Sequence, residues 1–170
     1  ITLGCFGIAG LEKFAKKFAP LGFQEKAFLP CYGMAEATLM VTGRKSLRQK
    51  RVDASALREH RVVEASADRN DAYKEEKASQ AENLVSCGLP IDKVQVKIVD
   101  PHTCKPCPPD EAGEIWISSD SIAAGYWRSP KLTQETFIED NNSLRFLRTG
   151  DMGFLDEGEL YVTGRLKELM

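Results

Sequence analysis

Apolar residues recur at helical spacing near the start of the chain, where Leu11, Phe14, Ala15 and Phe18 predict an amphipathic helix over residues 10 to 19 with its lysines turned to water. Pro20-Leu21-Gly22 closes that pattern. A short apolar run from Ala27 to Cys31 then enters Tyr32-Gly33, and Ala35 to Val41 has helix-forming composition, so strand, tight turn and helix are expected in that order. From Gly43 to Glu82 charges of both signs dominate and apolar groups are short, at Val52, Leu57, Val62 and Val63. That stretch reads as an inserted surface segment with a little local structure, and Asp68 to Glu82 is expected to be mobile.

The period then changes to two. Val94, Val96 and Ile98 alternate with Lys93, Gln95 and Lys97 before Asp100-Pro101, and Ile115 and Ile117 repeat the alternation after Gly113. Pro130, Leu132, Thr133 and Phe137 predict a short helix with Ser129 as its N-cap, and Phe146-Leu147 and Glu159 to Val162 predict two further short strands. The fold class is therefore mixed α/β, with a second half of mostly antiparallel sheet in a small barrel-like or sandwich-like layer.

Composition narrows the function classes. The 170 residues are 42% hydrophobic and 28% charged, with a formal net charge of −2, which gives no basic surface for nucleic acid. No apolar run approaches the roughly 20 residues of a membrane span, and the start lacks a signal-peptide pattern. Five cysteines, odd in number and scattered, favour a reducing cytoplasm. The two ends read as cut inside apolar stretches, so the chain is expected to be a piece of a larger protein.

Four stretches place turn glycines beside charged or aromatic residues: Cys31-Tyr32-Gly33-Met34-Ala35-Glu36, Gly113-Glu114-Ile115-Trp116-Ile117 leading to Gly125-Tyr126-Trp127, Arg148-Thr149-Gly150-Asp151, and Gly164-Arg165-Leu166-Lys167. Taken singly, Tyr32 reads equally as a core tyrosine before a turn, Glu36 as a first-turn glutamate, Asp151 as a turn-capping aspartate, Arg165 as half of a surface ion pair and Lys167 as solvated surface. Gly113 to Trp127 reads as scaffold that carries no acid or base required for chemistry. Cys104-Lys105-Pro106-Cys107 has metal-ligand spacing but no second pair, and His102 alone does not complete a zinc site. His60 and His102 lie apart from any Gly-x-Ser-x-Gly elbow, which disfavours a hydrolase.

In their order and separations the four stretches resemble the later signature motifs of the adenylate-forming superfamily. The closer resemblance is to fatty-acyl-AMP ligases, carried by Pro30 to Leu39, by Val85-Ser86-Cys87-Gly88-Leu89-Pro90 and by Glu159 to Lys167. It covers about residues 11 to 170 and implies the C-terminal part of an adenylate-forming N-terminal domain. Residues 1–42 would end the nucleotide- and acyl-binding α/β subdomain, 43–84 would be the insertion, 85–164 the β-rich subdomain, and 165–170 the start of a hinge to a C-terminal domain.

The resemblance also implies roles. Tyr32 would pack against adenine, with Gly33 allowing close approach. Glu36 would help hold Mg2+ against the ATP phosphates, Asp151 would accept the ribose hydroxyls, Arg165 would contact ribose or phosphate, and Lys167 would be the hinge. Ala35 stands where many relatives carry a phosphate-contacting threonine, a choice usual in the ligase branch, and Gly4 to Gly10 departs from the family's Gly-Ala-Glu-Pro-like loop. The implied reaction is ATP-dependent conversion of a fatty acid to acyl-AMP, followed by transfer to a carrier-protein phosphopantetheine, as in polyketide biosynthesis. The isolated chain is expected to be inactive. A long-chain acyl-CoA synthetase segment, or a non-catalytic interaction module or remnant, stands as the alternative.

Overall fold

The structure, a computed structural model, describes residues 8–65, 81–140 and 143–168. The predicted first helix is present as α1 (Ile8–Phe18), followed by 3₁₀ turns at Ala19–Leu21 and Glu25–Ala27. Its lysines face water as the pattern required, but Ala15 is its one buried residue. The phenylalanines gather on themselves instead: the Phe14 ring lies 4.6 Å from Phe18 and 5.2 Å from Phe23, and Phe23 lies 5.0 Å from Phe28. Such contacts remove apolar area from water without a deep core.

After β1 (Cys31–Met34) the expected helix over Ala35 to Val41 does not form. A single 3₁₀ turn, Ala35–Ala37, leads through Thr38 in the left-handed region (φ 67°) into β2 (Leu39–Gly43), which returns antiparallel to β1 with Cys31 opposite Gly43 and Met34 opposite Leu39. Helix propensity, even that of alanine, is a weak preference, and here hairpin pairing and the burial of Ala37 and Val41 outweigh it. Gly33 is needed for this hairpin, because a Cβ there would lie 1.5 Å from the carbonyl oxygen of Leu39.

The charged stretch that follows contains β3 (Gln49–Asp53) and α2 (Ala54–Arg58), and β3 pairs antiparallel with β4 (Ala81–Val85). The Asp53 carboxylate caps α2, accepting the Ser55 and Ala56 amides at 2.8 Å. Val52 and Leu84 are buried against Ala112, Phe154 and Tyr161, which seats this two-stranded sheet on the second half of the chain. The expected mobility of Asp68 to Glu82 falls mainly outside the described residues, and Ala81 and Glu82 open β4. Next, β5 (Leu89–Pro90) joins the far edge of β2.

The remaining strands form one antiparallel sheet. They are β6 (Gln95–Val99), β7 (Gly113–Ser118), β8 (Phe137–Glu139), β9 (Arg145–Asp156) and β10 (Glu159–Arg165), with the helix α3 (Pro130–Thr136) before β8. The order is β10-β9-β7-β6, with β8 also on β9. Leu147 pairs with Ile117 of β7 and with Phe137 of β8, so β7 takes one edge of β9 while β8 and β10 share the other. Among the described residues the sheet is open, not the expected barrel, because β6 and β10 end the path without pairing to each other. Its core unites Ile98, Ile115, Ile117, Leu147 and Leu160 with Tyr32 and Val41 of the first hairpin.

Two local expectations change. Phe146-Leu147 is not a separate short strand but part of the twelve-residue β9, which runs straight through Arg148-Thr149-Gly150-Asp151. Ser129 stands at the N-cap of α3, but its hydroxyl makes no capping bond; Thr133 Oγ1 donates to the Ser129 carbonyl at 2.9 Å instead. Among the described residues no helix is long and apolar enough to cross a membrane.

Candidate functional site

The feature that builds the site is a bulge in β9. Glu114 pairs with Met152 and Trp116 with Arg148, so one residue of β7, Ile115, stands opposite three of β9, Thr149 to Asp151. Gly150 supplies the left-handed backbone this requires, at φ +70°. Side chains replace the missing ladder bonds: Thr149 Oγ1 donates to the Ile115 carbonyl at 2.7 Å and accepts the Asp151 amide at 3.0 Å.

The bulge turns Asp151 toward β1 and β10. The Tyr32 hydroxyl donates to Asp151 Oδ2 at 2.8 Å, and Arg165, its register partner on β10, brings Nε to 3.1 Å from Oδ1. Asp151 is 2% exposed, whereas the Arg165 side chain is 55% exposed and covers the carboxylate from the solvent side. Burial, and then the charge of Asp151, push the Tyr32 phenol far above its ordinary range, so it remains a neutral donor. A carboxylate has about four lone-pair sites, so these two partners leave acceptor capacity on Asp151.

Glu36 lies on the 3₁₀ turn that follows β1, half-buried. Its Oε1 accepts the Tyr126 hydroxyl at 2.8 Å, and its carbonyl accepts the Ala123 amide at 2.8 Å. Burial, and then this hydrogen bond, raise Tyr126; its pKa is pushed up to about 12. Thr38 Oγ1 donates to the Ser121 carbonyl at 2.8 Å, so the turn is tied to the segment after β7 at several points.

Of the residues singled out from the sequence, Tyr32, Asp151 and Arg165 thus meet directly. Glu36 is bonded to Tyr126 rather than to that trio, although Tyr126 packs against the same core as Tyr32. The Tyr32 ring is buried in that core, the place its position before a turn also allowed, and Gly33 faces Leu39 of its own hairpin. Lys167 is exposed on the 3₁₀ turn Leu166–Glu168, directly after β10. Of the stretch Gly4 to Gly10, residues 4–7 lie outside the described residues, and Ile8 to Gly10 form the first turn of α1.

Two residues that sequence reading passed over belong to this region. Tyr126 holds Glu36, and Glu114 is a buried acid within the stretch Gly113 to Trp127, bonded to protein groups on both strands of the scaffold. Glu114 is 2% exposed, and Oε2 accepts Trp116 Nε1 at 2.9 Å and Arg148 Nη2 at 2.8 Å, while Oε1 faces the Gly150 amide at 3.2 Å. The available signal was a lone acid inside a strand that is otherwise buried and apolar or glycine up to its last residue, Ser118.

Comparison with known proteins assigns the class. Residues 5–127 match the family model described as AMP-binding enzyme, and the chain belongs to that family. It is 41% identical over 166 residues to the medium-chain fatty acid, acyl-carrier-protein ligase JamA of Moorena producens, covering 94% of this chain and 27% of that protein. It is 37% identical to the 4-hydroxyphenylalkanoate adenylyltransferase of Mycobacterium tuberculosis, covering 96% and 26%. The solved fatty acyl-adenylate ligase of Legionella pneumophila, in complex with acyl adenylate and pyrophosphate, superposes with a TM-score of 0.83 at 42% identity, covering 99% of this chain and 28% of that one. The chain therefore spans about a quarter of the length of the curated relatives it matches.

Proposed function

We propose that this chain forms part of the nucleotide cradle of an ATP-dependent enzyme that activates a fatty acid as acyl-AMP and passes the acyl group to a carrier-protein phosphopantetheine. The observation that carries the reading is the Asp151 carboxylate, placed by a bulge and gripped from two sides by Tyr32 and Arg165. An ionised acceptor held in this way makes stronger bonds to hydroxyls than a neutral one, as a ribose diol requires. Support also comes from the family match and from the printed activity of the Moorena relative, an acyl-carrier-protein ligase.

In this reading Asp151 accepts the ribose hydroxyls. Arg165 now occupies Oδ1; being exposed and at a strand end, it turns aside as the ribose enters and then faces the ribose or phosphate. Tyr32 fixes Asp151 through its hydroxyl while its ring stays in the core. Lys167, two residues beyond Arg165, serves as the hinge.

Among the described residues no group of three or more His, Cys, Asp or Glu could hold a metal. Mg2+ on ATP is held mostly by phosphate and water with one protein carboxylate, and Glu36, whose Oε1 accepts the Tyr126 hydroxyl, is the residue that would supply it. Bound there, Mg2+ would neutralise phosphate charge; Tyr126 orients Glu36 for that task. The fatty-acid carboxylate attacks the α-phosphorus in line, the bond to pyrophosphate breaks, and no side-chain nucleophile is needed.

The test is calorimetric titration of the chain with a non-hydrolysable acyl-adenylate. Saturable binding that weakens at least about tenfold in Asp151→Ala supports the reading. Equal binding by the variant contradicts it. In the larger protein that carries this segment, transfer to carrier protein in preference to coenzyme A supports the ligase branch, and efficient acyl-CoA formation counts against it.

A further inference from the structure

We propose that Glu114 is a positioning residue for the nucleotide site, acting through the Thr149 to Asp151 bulge to hold Asp151 where it meets the ribose; this rests on the role given to Asp151 above. The bulge removes regular pairing between β7 and β9 over three residues, and an unsupported bulge would be free to relax. Glu114 supplies the support. Its Oε2 accepts three donors, Arg148 Nε at 3.0 Å, Arg148 Nη2 at 2.8 Å and Trp116 Nε1 at 2.9 Å. Its Oε1 takes the Gly150 amide, the donor at the apex of the bulge, at 3.2 Å.

Simple core filling does not account for this arrangement. A buried ion pair is often matched or bettered in stability by apolar residues of similar volume, so a buried carboxylate with four donors, flanked in its strand by Gly113 and Ile115, points to geometry rather than to stability. The arrangement spans the site in one step: Arg148 precedes the bulge, Gly150 forms its apex and Asp151 is its last residue. The Arg148 guanidinium is itself held over the Trp116 ring, 5.6 Å from its centroid, which fixes the clamp from a third side. The two carboxylates are kept apart in function: Glu114 is saturated by protein donors, whereas Asp151 retains acceptor capacity.

The isosteric variant Glu114→Gln in the full 170-residue chain separates the possibilities, with Glu114→Asp, which keeps the charge but withdraws from Gly150, as the second variant should the first not fold. Two readouts are taken: amide hydrogen exchange at Gly150, and affinity for AMP against 2′,3′-dideoxy-AMP. The wild type is expected to prefer AMP by about tenfold or more. In the variants Gly150 exchanges at least about tenfold faster, and the preference for AMP falls to about twofold or less while dideoxy-AMP binds as before. A merely structural role would weaken both nucleotides together. Retention of the AMP preference in Glu114→Gln, with its loss in Asp151→Ala, overturns the role of Glu114 and leaves that of Asp151 standing. No AMP preference in the wild type, or one that Asp151→Ala leaves unchanged, overturns the reading of Asp151 and with it this inference.

Discussion

Tyr32 and Asp151, 119 positions apart in sequence, are joined by a buried hydrogen bond of 2.8 Å in which the phenol donates to Oδ2. It ties the first hairpin to the long central strand at the point where that strand bulges. Replacing Tyr32 with Phe keeps the ring and removes one donor from a buried carboxylate. The expected cost is about 1–3 kcal/mol by chemical denaturation, together with weaker adenylate binding. Unchanged stability and binding would show that the bond does not hold Asp151 in place.

Gly33 and Gly164 make a contrasting pair. A Cβ at Gly33 would lie 1.5 Å from the Leu39 carbonyl oxygen, backbone that cannot yield without opening the hairpin, whereas a Cβ at Gly164 meets nothing within 4 Å. Gly33→Ala is expected to destabilise by about 3 kcal/mol or more and Gly164→Ala by less than about 1 kcal/mol, read from thermal unfolding.

An ionic tie joins the chain on either side of the β3-β4 sheet to β10. Glu159, 3% exposed, accepts Ser86 Oγ at 2.6 Å and pairs with Arg44. Glu159→Ala leaves Ser86 and the Arg44 guanidinium without that acceptor, and a loss of about 1–3 kcal/mol is expected. Asp156→Ala, which removes the partly exposed Lys50 pair, should cost less than about 1 kcal/mol by the same measurement.

Burial of Tyr126, and then its bond to Glu36, make a prediction in pH. Because the folded pKa of Tyr126 is raised, to about 12, above its ordinary value of 10.0, its contribution to stability is fully present below pH 10 and disappears as pH rises toward 12. Tyr126→Phe should remove a phenolate absorbance step near the top of that window and flatten the fall in stability across it. An unchanged titration would show that burial and the Glu36 bond do not hold the Tyr126 phenol above its ordinary range.

Legibility in the sequence followed the range of the forces involved. The period of two in Val96, Ile98, Ile115 and Ile117 reports a local property, and the strands lie where it placed them. Asp151 and Arg165 could be singled out because glycine-bearing turns mark them, but their contact depends on the β9 and β10 register, which no local pattern states. Ala35 to Val41 misled because helical propensity is a weak preference that pairing with β1 overrides. Arg148 to Asp151 read as a turn for a related reason: a bulge and a turn both use a left-handed glycine, and only the partner strand distinguishes them. Glu114 was hidden because its importance lies in four donors, two of them from Arg148, which is 34 positions away.

The central claim is that Tyr32, Glu36, Asp151 and Arg165 serve a single nucleotide. Backbone amide shifts followed by nuclear magnetic resonance during titration with AMP and Mg2+ test it most directly. The account predicts that Gly33, Glu36, Gly150, Asp151 and Arg165 shift together and saturate at one common concentration. Shifts confined to one of these stretches, separate saturation curves, or none at all would contradict it.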